Sequence, residues 1–138
     1  MATEGIVGMY VETRSYGATA SFWRSLGFEN VFETDHGSGQ WNHPKGGPYV
    51  FIAEQLDRDL ETHPILWVGD STTFNPSRPP EYSKEFTPEH WGVGEATVLD
   101  PDSRPVSLQA PVPEGVSTAD ADQHHAEKYG AEKQGRGL

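Results

Sequence analysis

Residues 5–12 read GIVGMYVE, and apolar or small residues in this stretch alternate between two faces. Ile6, Gly8 and Tyr10 fall on one face, and the hydrophobic residues between them fall on the other. A period of two residues is typical of a β-strand, so the chain is predicted to open on a strand.

A helix is predicted directly after this strand. Ser15 is a suitable N-cap, because its hydroxyl can accept a hydrogen bond from a backbone N–H that the first helical turn leaves unpaired. Ala18, Phe22 and Leu26 recur at four-residue spacing and are predicted to face the core. Gly27 stands where a left-handed residue would end the helix.

The remainder of the first half is predicted to form three short strands. They cover residues 28–34, 39–43 and 48–55, and turn-forming residues separate them. The element order of the first half is therefore β-α-β-β-β.

The second half carries strand signals but no clear helix. Strands are predicted from His63 to about residue 70, over 93–99 and over 106–109, where Val and Leu alternate with Ser and Gln. Residues 71–90 are rich in Pro, Ser and Thr and have no helical period.

The length of 138 residues predicts a single domain over residues 1–111. Within it, two modules are expected at about 5–55 and 63–111. Residues 112–138 form a polar tail in which 117–130 is predicted to form one short helix.

The composition limits the kinds of partner. The formal net charge of −11 disfavours nucleic acid and anionic membrane surfaces, and it attracts positively charged small molecules. The absence of cysteine excludes disulfides and thiolate metal sites. No apolar run approaches a membrane span and no signal peptide is evident, so a cytoplasmic location is expected.

Two motifs in this order resemble those of a known family. SFWRSLGF at residues 21–28 follows the first strand. DPDSRPVSL at residues 100–108 leads into the predicted last strand and includes most of it. The chain thereby resembles the vicinal-oxygen-chelate superfamily, which includes glyoxalase I, extradiol dioxygenases, fosfomycin-resistance enzymes and bleomycin-resistance proteins. The resemblance implies an α+β fold of two βαβββ modules with curled mixed sheets around a cleft, and a homodimer. In the second module we expect the helix to be reduced or lost.

The resemblance also implies four positions for a divalent metal, and this chain matches them incompletely. Glu54 and His63 are candidate ligands on the fourth and fifth strands. The first strand offers no ligand among its cleft-facing residues, and Ser107 stands where a metal-binding relative would carry Glu. A neutral hydroxyl is a poor substitute for a carboxylate beside a divalent cation. We therefore expect no metal cofactor, with a divalent metal as the alternative.

Without a metal, the predicted cleft is aromatic, with a few polar anchors. Such a lining is typical of small-molecule sites and favours flat or cationic ligands. The predicted ligand-binding residues are Tyr10, Trp41, Phe51, His63, Trp67, Phe74, Trp91, Ser107 and Gln109.

These expectations lead to a functional prediction with open alternatives. The chain is predicted to bind and sequester a bulky aromatic antibiotic or related natural product and so to confer resistance, with no catalytic residue. The alternatives are a metal-dependent lyase, isomerase or dioxygenase, and a metal-free enzyme in which Tyr10 or His63 acts as acid or base.

Overall fold

The computed structural model describes residues 2–113, which form two compact units. Among the described residues, the first unit runs from Ile6 to Pro64, and the second contains residues 2–5 and 65–113. The helix predicted within 117–130 lies outside the described residues.

The first unit has the βαβββ order predicted from the sequence. Its strands lie side by side in the order β2-β3-β4-β1, with β1 and β4 parallel and the other neighbours antiparallel. The α+β class is confirmed. The elements are β1 (Ile6–Thr13), α1 (Tyr16–Ser25), β2 (Glu29–Glu33), β3 (Ser38–Asn42) and β4 (Tyr49–Glu54).

Helix α1 begins and ends where the sequence predicts, but it buries a different face. The Ser15 hydroxyl accepts from the Ala18 amide, and Gly27 has a φ of 97°. Ala20 is buried against the sheet, whereas Phe22 is 57% exposed. The prediction that Ala18, Phe22 and Leu26 face the core is therefore wrong, since all three are exposed. Apolar side chains line more than one side of this helix, and packing against the sheet selects the side that carries Ala20.

No helix within residues 2–113 is long and apolar enough to cross a membrane, since α1 has 10 residues.

The core of the first unit lies between α1 and one face of the sheet. Trp41 is 0% exposed and packs in one cluster with Val50 and Ile52. Its indole N–H donates to the Tyr16 hydroxyl at 3.2 Å, and the Arg24 guanidinium lies 4.8 Å from its ring centre. A ligand cannot reach a side chain enclosed in this way, so the expectation that Trp41 contacts the ligand is corrected.

The second unit consists of strands only, within the residues that the structure describes. Its strands lie in the order β5-β8-β7-β6, with β5 and β8 parallel and the other neighbours antiparallel. The elements are β5 (Thr62–Trp67), whose first three residues belong to the first unit, then β6 (Glu81–Pro88), β7 (Val93–Leu99) and β8 (Pro105–Pro111).

The predicted loss of the second helix is confirmed, because residues 68–80 contain no helix. Phe74 and Phe86 pack against the buried residues Val68 and Leu108, with the two phenylalanine rings 5.8 Å apart. Aromatic side chains thus cover the sheet face that a helix would otherwise cover.

Hydrogen bonds to the Asp100 side chain stabilise the turn before β8. Its carboxylate accepts from the backbone amides of Asp102 and Arg104 at 2.9 and 2.8 Å. Ser103 adopts a φ of 65°, the left-handed conformation that tight turns require. Asp100 and Asp102 are therefore turn residues.

Candidate ligand-binding face

Aromatic side chains gather on the face of the first unit that points away from α1. Val50 and Ile52 pack on the α1 side, so strand alternation directs Phe51 to the other side, together with its register partner Tyr10. The Tyr10 and Phe51 rings are 6.4 Å apart and nearly parallel, at 12°. This arrangement is an offset stack, a favourable geometry for aromatic pairs.

Further rings extend this pair on both sides. His63 lies 5.0 Å from Tyr10, and Phe32 lies 6.2 Å from Phe51. Tyr49 belongs to the same side, because it is the register partner of Gly8. We refer to Phe32, Phe51, Tyr10, Tyr49 and His63 together as the ring face. Phe32 is exposed and the others are half-buried, so each ring retains accessible surface.

A buried carboxylate lies beside the ring face. Glu12 follows Tyr10 on the same side of β1 and is only 4% exposed. Arg58 donates to both of its oxygens, with Nη1–Oε1 at 2.7 Å and Nη2–Oε2 at 2.6 Å. The Glu61 amide donates to Oε1 at 2.9 Å, and the Tyr10 hydroxyl donates to Oε2 at 2.8 Å. We call these four residues the Glu12 network.

The network changes the protonation of two groups. Burial by itself would raise the pKa of Glu12, but the hydrogen bonds from Arg58, Tyr10 and the Glu61 amide outweigh it and hold the pKa below its ordinary value. The pKa of His63 is lowered, chiefly because burial disfavours the imidazolium and also because of the charge on Arg58. Glu12 is thus a carboxylate and His63 is a neutral imidazole at neutral pH.

The structure brings together three of the predicted site residues in the first unit. Tyr10, Phe51 and His63 share the ring face, as predicted, whereas Trp41 lies on the opposite side of the sheet. The sequence prediction omitted Phe32, Tyr49, Glu12 and Arg58. Alternation along β1 and β4 was sufficient to find Glu12 and Tyr49, whereas no local pattern marked Arg58.

In the second unit, Trp67, Ser107 and Gln109 share one side of the sheet. Trp67 is the register partner of Gln109, and Ser107 is 3% exposed. Phe74 does not join them, because it packs with Leu108 on the other side. The prediction that Phe74 lines the same cleft surface is therefore corrected.

Trp91 lies in the turn between β6 and β7 and is 48% exposed. Its ring packs edge-on against His90, with 4.8 Å between ring centres. Trp67, Trp91, Ser107 and Gln109 stay predictions as ligand contacts.

A groove of about 490 Å³ lies in the second unit. Among its lining residues, Asp70 already accepts from the Thr72 amide and hydroxyl, and Phe74 supplies the single aromatic ring. We favour the ring face as the candidate site because its aromatic groups are more numerous and are arranged for stacking.

Solved structures share the fold of this chain. A glyoxalase/bleomycin resistance protein/dioxygenase superfamily member from Vibrio splendidus 12B01 superposes with a TM-score of 0.58 at 17% identity, over 75% of this chain and 96% of that chain. The chain has the vicinal-oxygen-chelate fold. The resemblance predicted from the two sequence motifs is confirmed at the level of the fold.

Two other structures with this fold carry different names. A halotolerant catechol dioxygenase matches with a TM-score of 0.54 at 12% identity, over 82% of this chain and 42% of that chain. A structure described as an NAD-dependent benzaldehyde dehydrogenase from Legionella pneumophila matches with a TM-score of 0.56 at 9% identity, over 75% of this chain and 97% of that chain. Comparison by sequence matches no family model and no curated protein. The vicinal-oxygen-chelate fold is compatible with both binding and catalysis, so function must be argued from the site.

The two candidate metal ligands named from the sequence, Glu54 and His63, lie on opposite sides of the sheet in the first unit. The Glu54 carboxylate accepts from the Tyr16 amide at 3.0 Å, at the start of α1 and away from the ring face. The first strand was expected to offer no ligand, but Glu12 shares the side of Tyr10, and its two oxygens accept from Arg58. Ser107 offers a hydroxyl, a poor ligand for a divalent cation. No group of three or more His, Asp or Glu side chains within residues 2–113 is arranged to hold a metal ion.

Proposed function

We propose that the chain binds a planar aromatic small molecule, preferably a cationic one, on the ring face of its first unit. The observation that carries this proposal is the stack of Tyr10 on Phe51, with Phe32 and His63 extending it on either side. Partly exposed rings that are already stacked offer a flat ligand a large contact area at a small cost in side-chain entropy.

The charges around the rings support a preference for cations. Glu12, Arg58 and Glu61 carry two negative charges and one positive charge, which leaves one net negative charge beside Tyr10. The formal net charge of −11 adds long-range attraction for positive ligands. Electron-rich tyrosine and phenylalanine faces also attract cations directly.

We further propose that binding serves to sequester a bulky aromatic antibiotic or related natural product. Stacking against rings retains such a ligand without any change to its bonds, which is what resistance by sequestration requires. An enzyme of the glyoxalase or dioxygenase type is the alternative for the same fold. The homodimer that the family resemblance implies stays a prediction, which light scattering in solution would test.

A fluorescence polarisation titration tests the proposal with two probes of similar size and opposite charge. We expect proflavine, a cationic three-ring molecule, to bind with a micromolar Kd, and anthracene-9-carboxylate to bind at least about tenfold more weakly. Failure of both probes to bind would remove the ring face as a binding site. Stronger binding of the anion would refute the cation preference.

Two measurements separate sequestration from the enzymatic alternative. Chromatography of a bound natural product after long incubation should return it unchanged. Elemental analysis of the purified protein should find no stoichiometric metal that depends on His63. Conversion of the ligand, or a tight metal lost in the His63→Ala variant, would favour the enzyme instead.

A further inference from the structure

We propose that Glu12 and Arg58 are positioning residues for the ring face: their ion pair fixes the Tyr10 ring against Phe51 and holds in place the connector that leads to His63. The expected effect on ligand affinity rests on the proposed function. The arrangement of the rings, by contrast, is measurable in the free protein.

Glu12 joins two parts of the first unit that are distant in sequence. Its carboxylate accepts from the Arg58 guanidinium, 46 residues later, and from the Glu61 amide, 49 residues later. It also accepts from the hydroxyl of Tyr10, two residues earlier. One buried side chain therefore contacts both the ring face and the connector.

The connector between β4 and β5 depends on polar contacts for its position. Leu56 and Leu60, its large apolar residues, are both exposed, so they contribute little packing. Backbone hydrogen bonds fix the two ends of the connector. The Gln55 amide donates to the Thr13 carbonyl at 2.8 Å, and the Glu12 amide donates to the Glu61 carbonyl at 3.0 Å. Between these ends, the bidentate Arg58–Glu12 pair connects the middle of the connector to β1.

The hydrogen bond to Tyr10 transmits this constraint to the rings. The Glu12 carboxylate accepts from the Tyr10 hydroxyl at 2.8 Å and so restricts rotation of this half-buried ring about its side-chain bonds. His63 follows Glu61 by two residues, so movement of the connector would also displace the imidazole from Tyr10. Loss of the ion pair should therefore disturb ring geometry on both sides of Tyr10.

The second unit offers a matched control. Glu89 is a buried carboxylate that accepts from Lys84 Nζ at 2.7 Å, and its side chain is 4% exposed, against 1% for Glu12. The substitutions E12Q and E89Q thus each remove one buried, ion-paired charge while preserving the shape of the side chain. Both should lower stability, but only the first touches the Glu12 network.

The decisive experiment records aromatic ¹H–¹³C correlation and ¹³C-edited NOESY spectra of the free proteins, followed by proflavine titrations. In E12Q we expect altered chemical shifts and weaker cross-peaks between the Tyr10 and Phe51 rings, and a proflavine Kd raised about fivefold to tenfold. In E89Q we expect both readouts to match the wild type. The R58K variant should show a smaller change than R58A, because lysine keeps the positive charge but not the bidentate contact.

The Y10F variant provides a second route if E12Q does not fold. It leaves the Glu12–Arg58 pair intact and removes only the hydroxyl that reaches Glu12. We expect its ring at position 10 to lose the fixed cross-peaks to Phe51. Wild-type ring spectra in both E12Q and Y10F, or equal changes in E12Q and E89Q, would overturn the positioning role. If E12Q alters the rings while wild-type protein binds neither probe, the proposed function fails and the positioning role stands.

Discussion

Gly8 and Tyr49 are register partners on β1 and β4, and the Tyr49 ring lies directly over the Gly8 Cα. A Cβ at position 8 would overlap three ring carbons of Tyr49. Glycine at this position leaves room for the Tyr49 ring to pack closely against β1.

Replacement of Gly8 by alanine should therefore displace the Tyr49 ring. We expect Gly8→Ala to lower the free energy of unfolding by about 1–3 kcal/mol, as overpacking usually does, and to weaken proflavine binding several-fold. Urea denaturation and fluorescence polarisation measure the two effects. Gly17→Ala is the control, since a Cβ there meets no atom within 4 Å. It should raise helix stability by up to about 1 kcal/mol and leave binding unchanged. A neutral Gly8→Ala would contradict the packing of Tyr49 described above.

Removal of the Phe51 ring should weaken ligand binding directly. We expect Phe51→Ala to raise the proflavine Kd about tenfold, equivalent to about 1.4 kcal/mol, because the stack with Tyr10 is lost. Phe22→Ala removes the same group from the exposed side of α1 and should not change the Kd. Equal Kd values for the two variants would show that ligand binds elsewhere.

The Trp41 side chain should contribute strongly to the free energy of unfolding. Because its side chain is fully enclosed beneath α1, Trp41→Ala should cost about 3–5 kcal/mol of unfolding free energy. Trp91→Ala, in the β6–β7 turn, should change stability by about 0.5 kcal/mol or less. Guanidinium denaturation followed by circular dichroism makes the comparison. A small loss for Trp41→Ala would mean that the helix does not pack on the sheet as described.

Stability should fall in two steps as the pH is lowered. The pKa of His63 is lower in the folded protein, so protonation favours the unfolded chain, and stability declines as pH falls from the unfolded pKa of about 6.5 toward the lower folded pKa. The pKa of Glu12 is also lower in the folded protein, so its contribution is present above its unfolded pKa of about 4.5 and is lost as pH falls through the lower folded pKa.

Substitution should remove these steps one at a time. Urea denaturation from pH 8 to pH 3 should show that His63→Gln lacks the first decline and that Glu12→Gln lacks the second. A profile for His63→Gln that is parallel to the wild type between pH 7 and pH 5 would argue against a buried neutral imidazole.

Local signals explain why the first unit was predictable. The alternation in GIVGMYVE, the Ser15 cap and the Gly27 stop all act over a few residues, and each has the predicted effect in the structure. β6 was harder to predict because it carries few apolar residues. Tyr82 and Phe86 share the side that packs on the core of the second unit, but Lys84 lies between them on that side and the intervening residues are polar.

The sequence by itself determined the βαβββ order of the first unit and the loss of the second helix, and its strand alternation placed Tyr10 on the side of β1 opposite Val11. These features follow from strand period, capping and proline content, which operate along the chain. Only the tertiary structure decided that Trp41 is enclosed, that Phe22 is exposed, and that Arg58 reaches Glu12 across 46 residues. Such outcomes depend on which surfaces meet after folding, and no spacing within one element specifies them.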